Sequence, residues 1–296
     1  MPSQPWRVPK ITMYMQTNEL KALVSLVADD DREVRDEVEN QIRRLGETII
    51  PFLESEWEQN MDPEVQRRLM DLIHTLQFEQ MHQGLQTWAD TGGEDLLEGI
   101  WRLATYMYPD LELAKLKRSL EQIYYEMWLE VRPDMHPFDQ IKIINDVLFR
   151  KLRFSANTKN FHAPNNSMLN VVLESKKGNP ISLCIIYMLV CQKLKIPVYG
   201  VNLPNLFILT YKGDETQFYI NAFNRGVIFR KDDIDNYINN LNLKPNDVFY
   251  EPCSNVDIAK RVLRNLIVAF EKTGDTDKVE EMRIVLHKVF GEEVLE

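Results

Sequence analysis

The chain has 296 residues, of which 44% are apolar and 27% are charged, as in a globular protein with one large or two small domains. Its net charge is −10, and most of the excess acidity lies in residues 1–150. An acidic chain without a basic stripe has little means of holding a phosphate backbone, so we expect no nucleic-acid partner. The longest apolar window, Ile181 to Cys191, is shorter than the roughly 20 residues of a membrane helix, so we expect no membrane partner.

Cysteine usage predicts a reducing compartment. The three cysteines, Cys184, Cys191 and Cys253, cannot form a disulfide framework, which favours the cytoplasm. The first ten residues, MPSQPWRVPK, lack the apolar segment of a secretory signal. The five histidines are scattered without close Cys/His spacing, so we predict no metal site and no cofactor.

A weak repeat occupies the first 80 residues. Two segments 31 residues apart, DREVRDEVENQIRRL from Asp31 and DPEVQRRLMDLIHTL from Asp62, each open on an acidic residue and carry apolar residues at helical spacing. Each follows another apolar stretch, which predicts two helix pairs. Pairs of this length resemble HEAT-type solenoid units, so we predict a HEAT-like helical arm over residues 1–80.

Three longer helices are predicted in the next part of the chain. Their apolar stripes begin near Leu96, Leu113 and Pro137, and prolines end the first two. Aromatic and methionine stripes of this kind are typical of a core rather than of a cofactor pocket. We therefore assign residues 81–150 to a helical bundle.

After Lys151 the pattern changes from long helices to short mixed elements. A polar loop and a short helix precede KKGNPISLC and a long apolar helix that ends near Leu194. Four β-branched and aromatic runs follow, separated by turn residues, and predict an antiparallel sheet. Two amphipathic helices joined at Gly274-Asp275 form a tetratricopeptide-like hairpin over residues 241–296. Together these elements predict an α+β fold that is mostly helical.

A set of motifs from Asn165 to the tail helix resembles a known protein family. The run NNSMLNVVLESKKGNPISLC, the later LPNLF and INAF, and RVLRNL in the tail helix resemble the SirB-type family of transglutaminase-like proteins. The resemblance implies a papain/transglutaminase-like core over residues 151–240, with a buried helix packed on a small antiparallel sheet. In active members a cysteine at the helix N-terminus is the nucleophile, and a histidine and an Asp or Asn on the following strands assist it.

The catalytic positions of the family fall on residues of other types in this chain. Counted back from the KIP that closes the helix, the cysteine position is Pro180. The histidine of the family's Leu-Pro-Gly-His-Phe strand falls on Leu206 in LPNLF, and the Asp of its Asp-Pro-Phe strand falls on Asn221 in INAF. Proline has no nucleophilic atom and leucine cannot carry a proton. The resemblance therefore implies a degenerate triad, and we expect the chain not to be an enzyme.

Three residues are candidates for a relocated activity, each with a structural alternative. Cys184 lies four residues after Pro180 on the same helical face, but its apolar surroundings favour a core residue. Ser182 is better placed to cap the helix than to act without a base. His162 is the candidate base for Cys184, but a lone loop histidine is more often simply exposed.

Asparagines are concentrated around the expected cleft, where amides suit binding of a peptide or amide group. The candidate binding residues are Asn166, Asn179, Ser182, Asn202, Asn205, Asn221 and Asn224. The alternative is that asparagine is a common turn residue.

The function that follows is a catalytically inactive, transglutaminase-like binding or regulatory module of a bacterial cytoplasm, with an unknown protein or peptide as its partner. One alternative is a cysteine hydrolase or acyltransferase that uses Cys184 with His162. Another is a structural scaffold that works through the HEAT-like arm. The sequence does not indicate the oligomeric state.

Overall fold

The computed structural model describes residues 17–292, which group into two compact units divided between Gln80 and Met81. The ten N-terminal residues used above to argue against a secretory signal lie outside the described residues. The predicted boundaries at residues 150 and 240 are not tested by this grouping and stay predictions.

The first unit consists of helices that follow one another along the chain. Its helices are α1 (Thr17–Ser25), α2 (Arg32–Leu45), α3 (Ile50–Gln59) and the start of α4 (Pro63–Asp90). Asp31 caps α2 by accepting a hydrogen bond from the Glu33 N–H at 2.9 Å. The stripes predicted from the repeat meet in one core, in which Ile42, Leu53 and Leu69 are fully buried. The helical prediction for this segment is confirmed.

Four helices lead from α4 to the central part of the second unit. They are α5 (Leu96–Thr105), α6 (Leu113–Trp128), α7 (Pro137–Asn145) and α8 (Leu169–Ser175). A π-helical segment, Asp146–Lys151, continues α7, so the predicted third helix is longer and less regular than expected. The predicted loop contains a short strand, β1 (Ser155–Ala156), which pairs in parallel with β2 (Lys177–Gly178).

The buried helix and the antiparallel sheet are present as predicted. The helix α9 (Pro180–Lys193) precedes four strands: β3 (Val198–Leu203), β4 (Leu206–Lys212), β5 (Gln217–Asn221) and β6 (Val227–Phe229). Each strand pairs antiparallel with the next, in the order β3-β4-β5-β6. Residues in α9 are buried on all sides of the helix, which explains why its apolar run shows no periodicity.

Helices cover the second face of the sheet and close the unit. The unpredicted helix α10 (Lys231–Asn240) contributes Ile234 and Ile238 to a cluster with Val201 and Ile208 of the sheet. The predicted tail hairpin consists of α11 (Asn255–Thr273) and α12 (Thr276–Phe290). Gly274 ends α11 at φ +77°, in the left-handed region that favours glycine, and Asp275 caps α12.

One buried hydrogen-bond chain fixes the end of the sheet against the helices. The Tyr187 hydroxyl donates to Asn145 Oδ1 at 3.0 Å, and Asn145 Nδ2 donates to the Gly226 carbonyl at 2.7 Å. Gly226 has φ +75°, and a Cβ there would lie 2.0 Å from Asn145 Oδ1. Only glycine fits this turn.

The α+β prediction is confirmed, with a buried helix on a small antiparallel sheet inside a mostly helical chain. Within residues 17–292, no helix combines the length and apolar character needed to span a bilayer.

Candidate functional site

A cavity of about 370 Å³ lies at the N-terminal end of α9. Four segments form its walls: the loop from Phe161 to Ala163 with Ser167, the start of α9 from Asn179 to Ile181, the start of β4 at Asn205 and Phe207, and one face of α11. The cavity is large enough for a few amino-acid residues rather than a whole domain.

The start of α9 is held by a reciprocal cap. The Ser182 N–H donates to Asn179 Oδ1 at 2.9 Å, and the Asn179 N–H donates to Ser182 Oγ at 3.0 Å. Asn179 Nδ2 also donates to Ser167 Oγ at 2.9 Å, which ties the helix start to the preceding loop. Pro180 has no N–H to satisfy and suits the first helical position. These contacts leave Ser182 buried as a capping residue.

The loop wall is organised by the buried amide of Asn166. Its Nδ2 donates to the carbonyls of Asn160 and Phe161 at 2.6 and 2.9 Å. Its Oδ1 accepts from Asn157 Nδ2 at 2.8 Å. All three contacts lie within the loop, so Asn166 shapes the wall that carries His162 and does not itself border the cavity.

The opposite wall is cationic and comes from α11. Arg261 and Arg264 both border the cavity, with Asn265 beside them. Arg261 donates through one terminal nitrogen to Asn202 Oδ1 at 3.0 Å and to the Leu203 carbonyl at 3.3 Å. Burial lowers the pKa of Arg261, and the nearby Arg264 lowers it further. An arginine starts so far above neutrality that it stays protonated.

Cys184 does not reach the cavity. Its side chain has 0% exposure, and its thiol donates to the Phe207 carbonyl at a sulfur–oxygen distance of 3.8 Å. Burial raises the pKa of the Cys184 thiol well above its usual range, because a thiolate would lose its hydration there. His162 is exposed and lines the cavity. The structure therefore does not bring together the cysteine and histidine of the alternative enzyme hypothesis.

The three positions aligned with the family triad are separated. Pro180 lines the cavity, but Leu206 packs against the cluster of α10 and the sheet. Neighbouring strand residues point to opposite faces, and it is Phe207 that faces the cavity. Asn221 ends β5 and accepts from the Asn224 N–H at 3.1 Å. A polar residue at 206 would therefore point away from the cavity on this backbone.

The candidate binding residues divide into three groups, of which the first, Asn166 and Ser182, is buried beside the cavity and bonded within its own segment. Asn179 and Asn205 line the cavity, and Asn202 contacts it through Arg261. Asn221 and Asn224 belong to the turn after β5 and are not among the residues that line this cavity, and their role in binding stays a prediction. For these two the alternative interpretation, a turn residue, describes what the structure contains.

Sequence reasoning missed the residues of α11. Arg261, Arg264 and Asn265 lie more than 30 residues after the end of the last strand at Phe229, and nothing local indicates that they return to the start of α9. The signal was present in RVLRNL, where steps of three and four residues put these side chains on one helical face.

The cavity presents groups that can hold a ligand through hydrogen bonds, positive charge and apolar contact. The cavity offers amides, two guanidinium groups and apolar surface, and no cysteine lies among its described lining residues. Within the described range 17–292, no group of three or more His, Cys, Asp or Glu side chains is arranged to hold a metal ion. The prediction of no metal and no cofactor stays a prediction.

Comparison with known proteins adds relatives for this part of the chain. The match to a UPF0162 protein of Xylella fastidiosa (strain Temecula1) is 36% identical over 123 residues, covering 40% of this chain and 42% of that protein. A UPF0162 protein of Vibrio cholerae is 23% identical over 140 residues, covering 47% and 52%. F-box only protein 21 of Mus musculus is 33% identical over 91 residues, covering 28% and 14%.

This chain spans about half or less of the length of each of these relatives. No solved structure gives a significant match. The family described as "Transglutaminase-like superfamily" matches residues 114–264, slightly more than half of the 296 residues. This range contains α9, the four-stranded sheet and the two arginines of α11, and the chain belongs to the transglutaminase-like superfamily.

Proposed function

We propose that the chain is a non-catalytic member of its superfamily that binds a peptide segment of a protein partner in the cavity at the start of α9. The observation that carries the proposal is the pairing of Pro180 in the cavity wall with Cys184 buried behind it. The position that aligns with the family nucleophile borders an open cavity and has no nucleophilic atom.

The lining chemistry supports a peptide as the occupant. Asn205 and Asn265 offer amides that pair with a peptide backbone in both directions, as donor and acceptor. Phe161 and Val268 are 44% and 43% exposed and provide apolar surface for a side chain. Convergent polar groups beside apolar walls are typical of small-ligand and peptide sites.

The enzyme alternative has less support. A hydrolase using Cys184 would need a thiolate within reach of an imidazole, whereas the Cys184 thiol is buried and His162 lies on the cavity wall. Assignment to the SirB-type branch, the HEAT-like arm of residues 1–80, the tetratricopeptide-like tail hairpin, a bacterial source and a cytoplasmic location remain parts of this proposal.

A cavity-filling substitution tests the binding function. Val268→Trp extends an aromatic ring from α11 into the cavity, and Val227→Trp is its control, since Val227 has 48% exposure on β6 and does not line the cavity. The full chain is dialysed against a pool of N-acetylated tetrapeptides of mixed sequence, and retained peptides are counted by mass spectrometry. We expect wild type and Val227→Trp to retain peptides and Val268→Trp to lose them.

Two results would contradict the proposal. One is equal retention by Val268→Trp and wild type, which would put the binding site elsewhere. The other is release of ammonia from glutamine-containing peptides by wild type but not by Cys184→Ala, which would establish an enzyme.

A further inference from the structure

The charges along one face of α11 are not balanced. Lys260, Arg261 and Arg264 supply three positive charges within two turns of the helix. Lys260 pairs with Asp257 at 3.2 Å and with Glu292 at 3.1 Å. Arg264 pairs with the same Glu292, at 2.7 Å to each carboxylate oxygen. Among the described residues, these three cations share two carboxylates, which leaves one positive charge without a counter-charge.

Arg261 is the cation that lacks a carboxylate. Its contacts are the neutral oxygens of Asn202 and Leu203, and both involve the same terminal nitrogen. Among residues 17–292, no acidic side chain lies within ion-pair distance of it. Its side chain is half-buried and borders the cavity. A partly desolvated guanidinium without a counter-charge is costly unless a ligand supplies one.

The size of the excess charge indicates the kind of anion. A carboxylate carries one negative charge, which matches one unpaired guanidinium. A phosphate monoester carries about −1.5 to −2 at neutral pH and would leave negative charge uncompensated. The guanidinium fork also fits a carboxylate in a two-point contact. The N-terminus of α9 does not compete with Arg261 for the anion, because Asn179 and Ser182 already cap it.

We propose that the cavity selects peptides that carry a carboxylate, which pairs with Arg261 while an apolar neighbour contacts Phe161 and Val268. This inference rests on the proposed peptide-binding function and names its ligand class. The carboxylate of a chain terminus and that of an Asp or Glu side chain share this chemistry, and the experiment separates them.

Three tetrapeptide pools test whether the cavity selects a carboxylate. All are N-acetylated: the first has a free C-terminal carboxylate and no acidic side chain, the second is the same pool with a C-terminal amide, and the third is amidated with one Asp or Glu. Each is dialysed against the full chain and the retained peptides are quantified by mass spectrometry. We expect the first pool, the third pool or both to be retained over the second, and the pool that binds identifies the source of the carboxylate.

Charge-removing variants locate the contact. Arg261→Gln is expected to weaken retention of the carboxylate pool about tenfold or more, as for loss of a charged hydrogen bond. Lys272→Gln removes one positive charge from an exposed position of the same helix and is expected to retain peptides like wild type. Because Arg261 also contacts Asn202 and Leu203, thermal melting checks the folding of Arg261→Gln. Arg261→Lys keeps the positive charge and is expected to retain the carboxylate pool better than Arg261→Gln does.

The outcomes separate this inference from the function on which it rests. Equal retention of the neutral amidated pool, or equal carboxylate retention by folded Arg261→Gln and wild type, would overturn the charge selectivity and leave peptide binding in place. Failure of the wild type to retain any pool would overturn both.

Discussion

At the residue scale, Pro180 and Cys184 lie one helical turn apart and have different surroundings. Four residues along an α-helix turn the side chain by about 400°, so the two share a face. They also differ by about 6 Å in depth along the axis. Pro180 therefore borders the cavity, and Cys184 lies under β4 against the Phe207 carbonyl. The shared helical face favours Cys184 as a relocated nucleophile, whereas its depth along the helix axis opposes that role.

The burial of Cys184 predicts an unreactive thiol. In native protein we expect negligible alkylation of Cys184 by iodoacetamide between pH 5 and 9, because the thiol is inaccessible and its pKa is raised. The raised pKa affects the free energy of unfolding only at higher pH. Above the unfolded pKa of about 8.5 the thiol ionises in the unfolded chain but stays neutral in the folded protein, so the folded protein loses stability as the pH rises further. The measurement is peptide-resolved mass spectrometry with and without urea.

Cys253 provides the internal comparison for this measurement. It is only partly buried, and burial raises its pKa to about 12. We expect Cys253 to alkylate before Cys184 in native protein, and all three cysteines to react in urea. Rapid modification of Cys184 at pH 5 would reveal an exposed thiolate and return the enzyme alternative to first place.

At the element scale, α11 combines a capped N-terminus with the two arginines that line the cavity. Its N-terminus is closed by Ser254 and Asp257, whose side chains each bond the other's backbone N–H, at 3.1 and 3.2 Å. The next turns carry the cavity arginines. The position of these arginines therefore depends on a helix start that lies outside the cavity.

This cap predicts an acid-sensitive contribution to stability. Burial alone would raise the pKa of Asp257, but hydrogen bonds from Ser254 and Lys260 outweigh it and lower the pKa. A lowered folded pKa stabilises the native state above the unfolded value of about 3.9, and this stability is lost as pH falls through the folded value. We expect Asp257→Asn to reduce the urea midpoint at pH 6 and to match wild type more closely near pH 3.

Asp232→Asn is a matched control, because Asp232 lies in the first turn of α10 and is exposed. It removes one carboxylate from a helix start without touching α11. If Asp257→Asn and wild type differed by the same amount at pH 3 and pH 6, the cap would not be the source of the pH dependence.

Local signals explain which elements could be predicted from the sequence. Apolar spacing and turn residues are properties of neighbouring positions, and they sufficed for α2, for α9 and for the four strands of the sheet. The pair of β1 and β2 joins residues about 20 positions apart with only two residues in each strand, too short to leave a periodic signal. The cavity depends on α11 folding back to the start of α9, a tertiary contact that no local pattern encodes.

At the scale of the whole molecule, the two compact units raise the question of which one carries the partner site. Residues 1–80 contain a core of their own, and the cavity is built from residues 161–269 of the second unit. The scaffold hypothesis assigns the partner to the first unit, and the proposed function assigns it to the second. A destabilising change confined to one core can separate the two.

Leu53→Ala is the change that makes this separation. Leu53 is fully buried in the first core, and replacing it with alanine is expected to cost about 2–5 kcal/mol through lost contacts and the cavity left behind. Hydrogen exchange followed by mass spectrometry should show lost protection in residues 17–76 and retained protection in α9. Peptide retention should be unchanged.

Leu263→Ala, fully buried on α11, is the matched control and should weaken peptide retention while protection of residues 17–76 persists. The opposite pattern, with Leu53→Ala abolishing partner binding while α9 stays protected, would place the binding function in the helical arm.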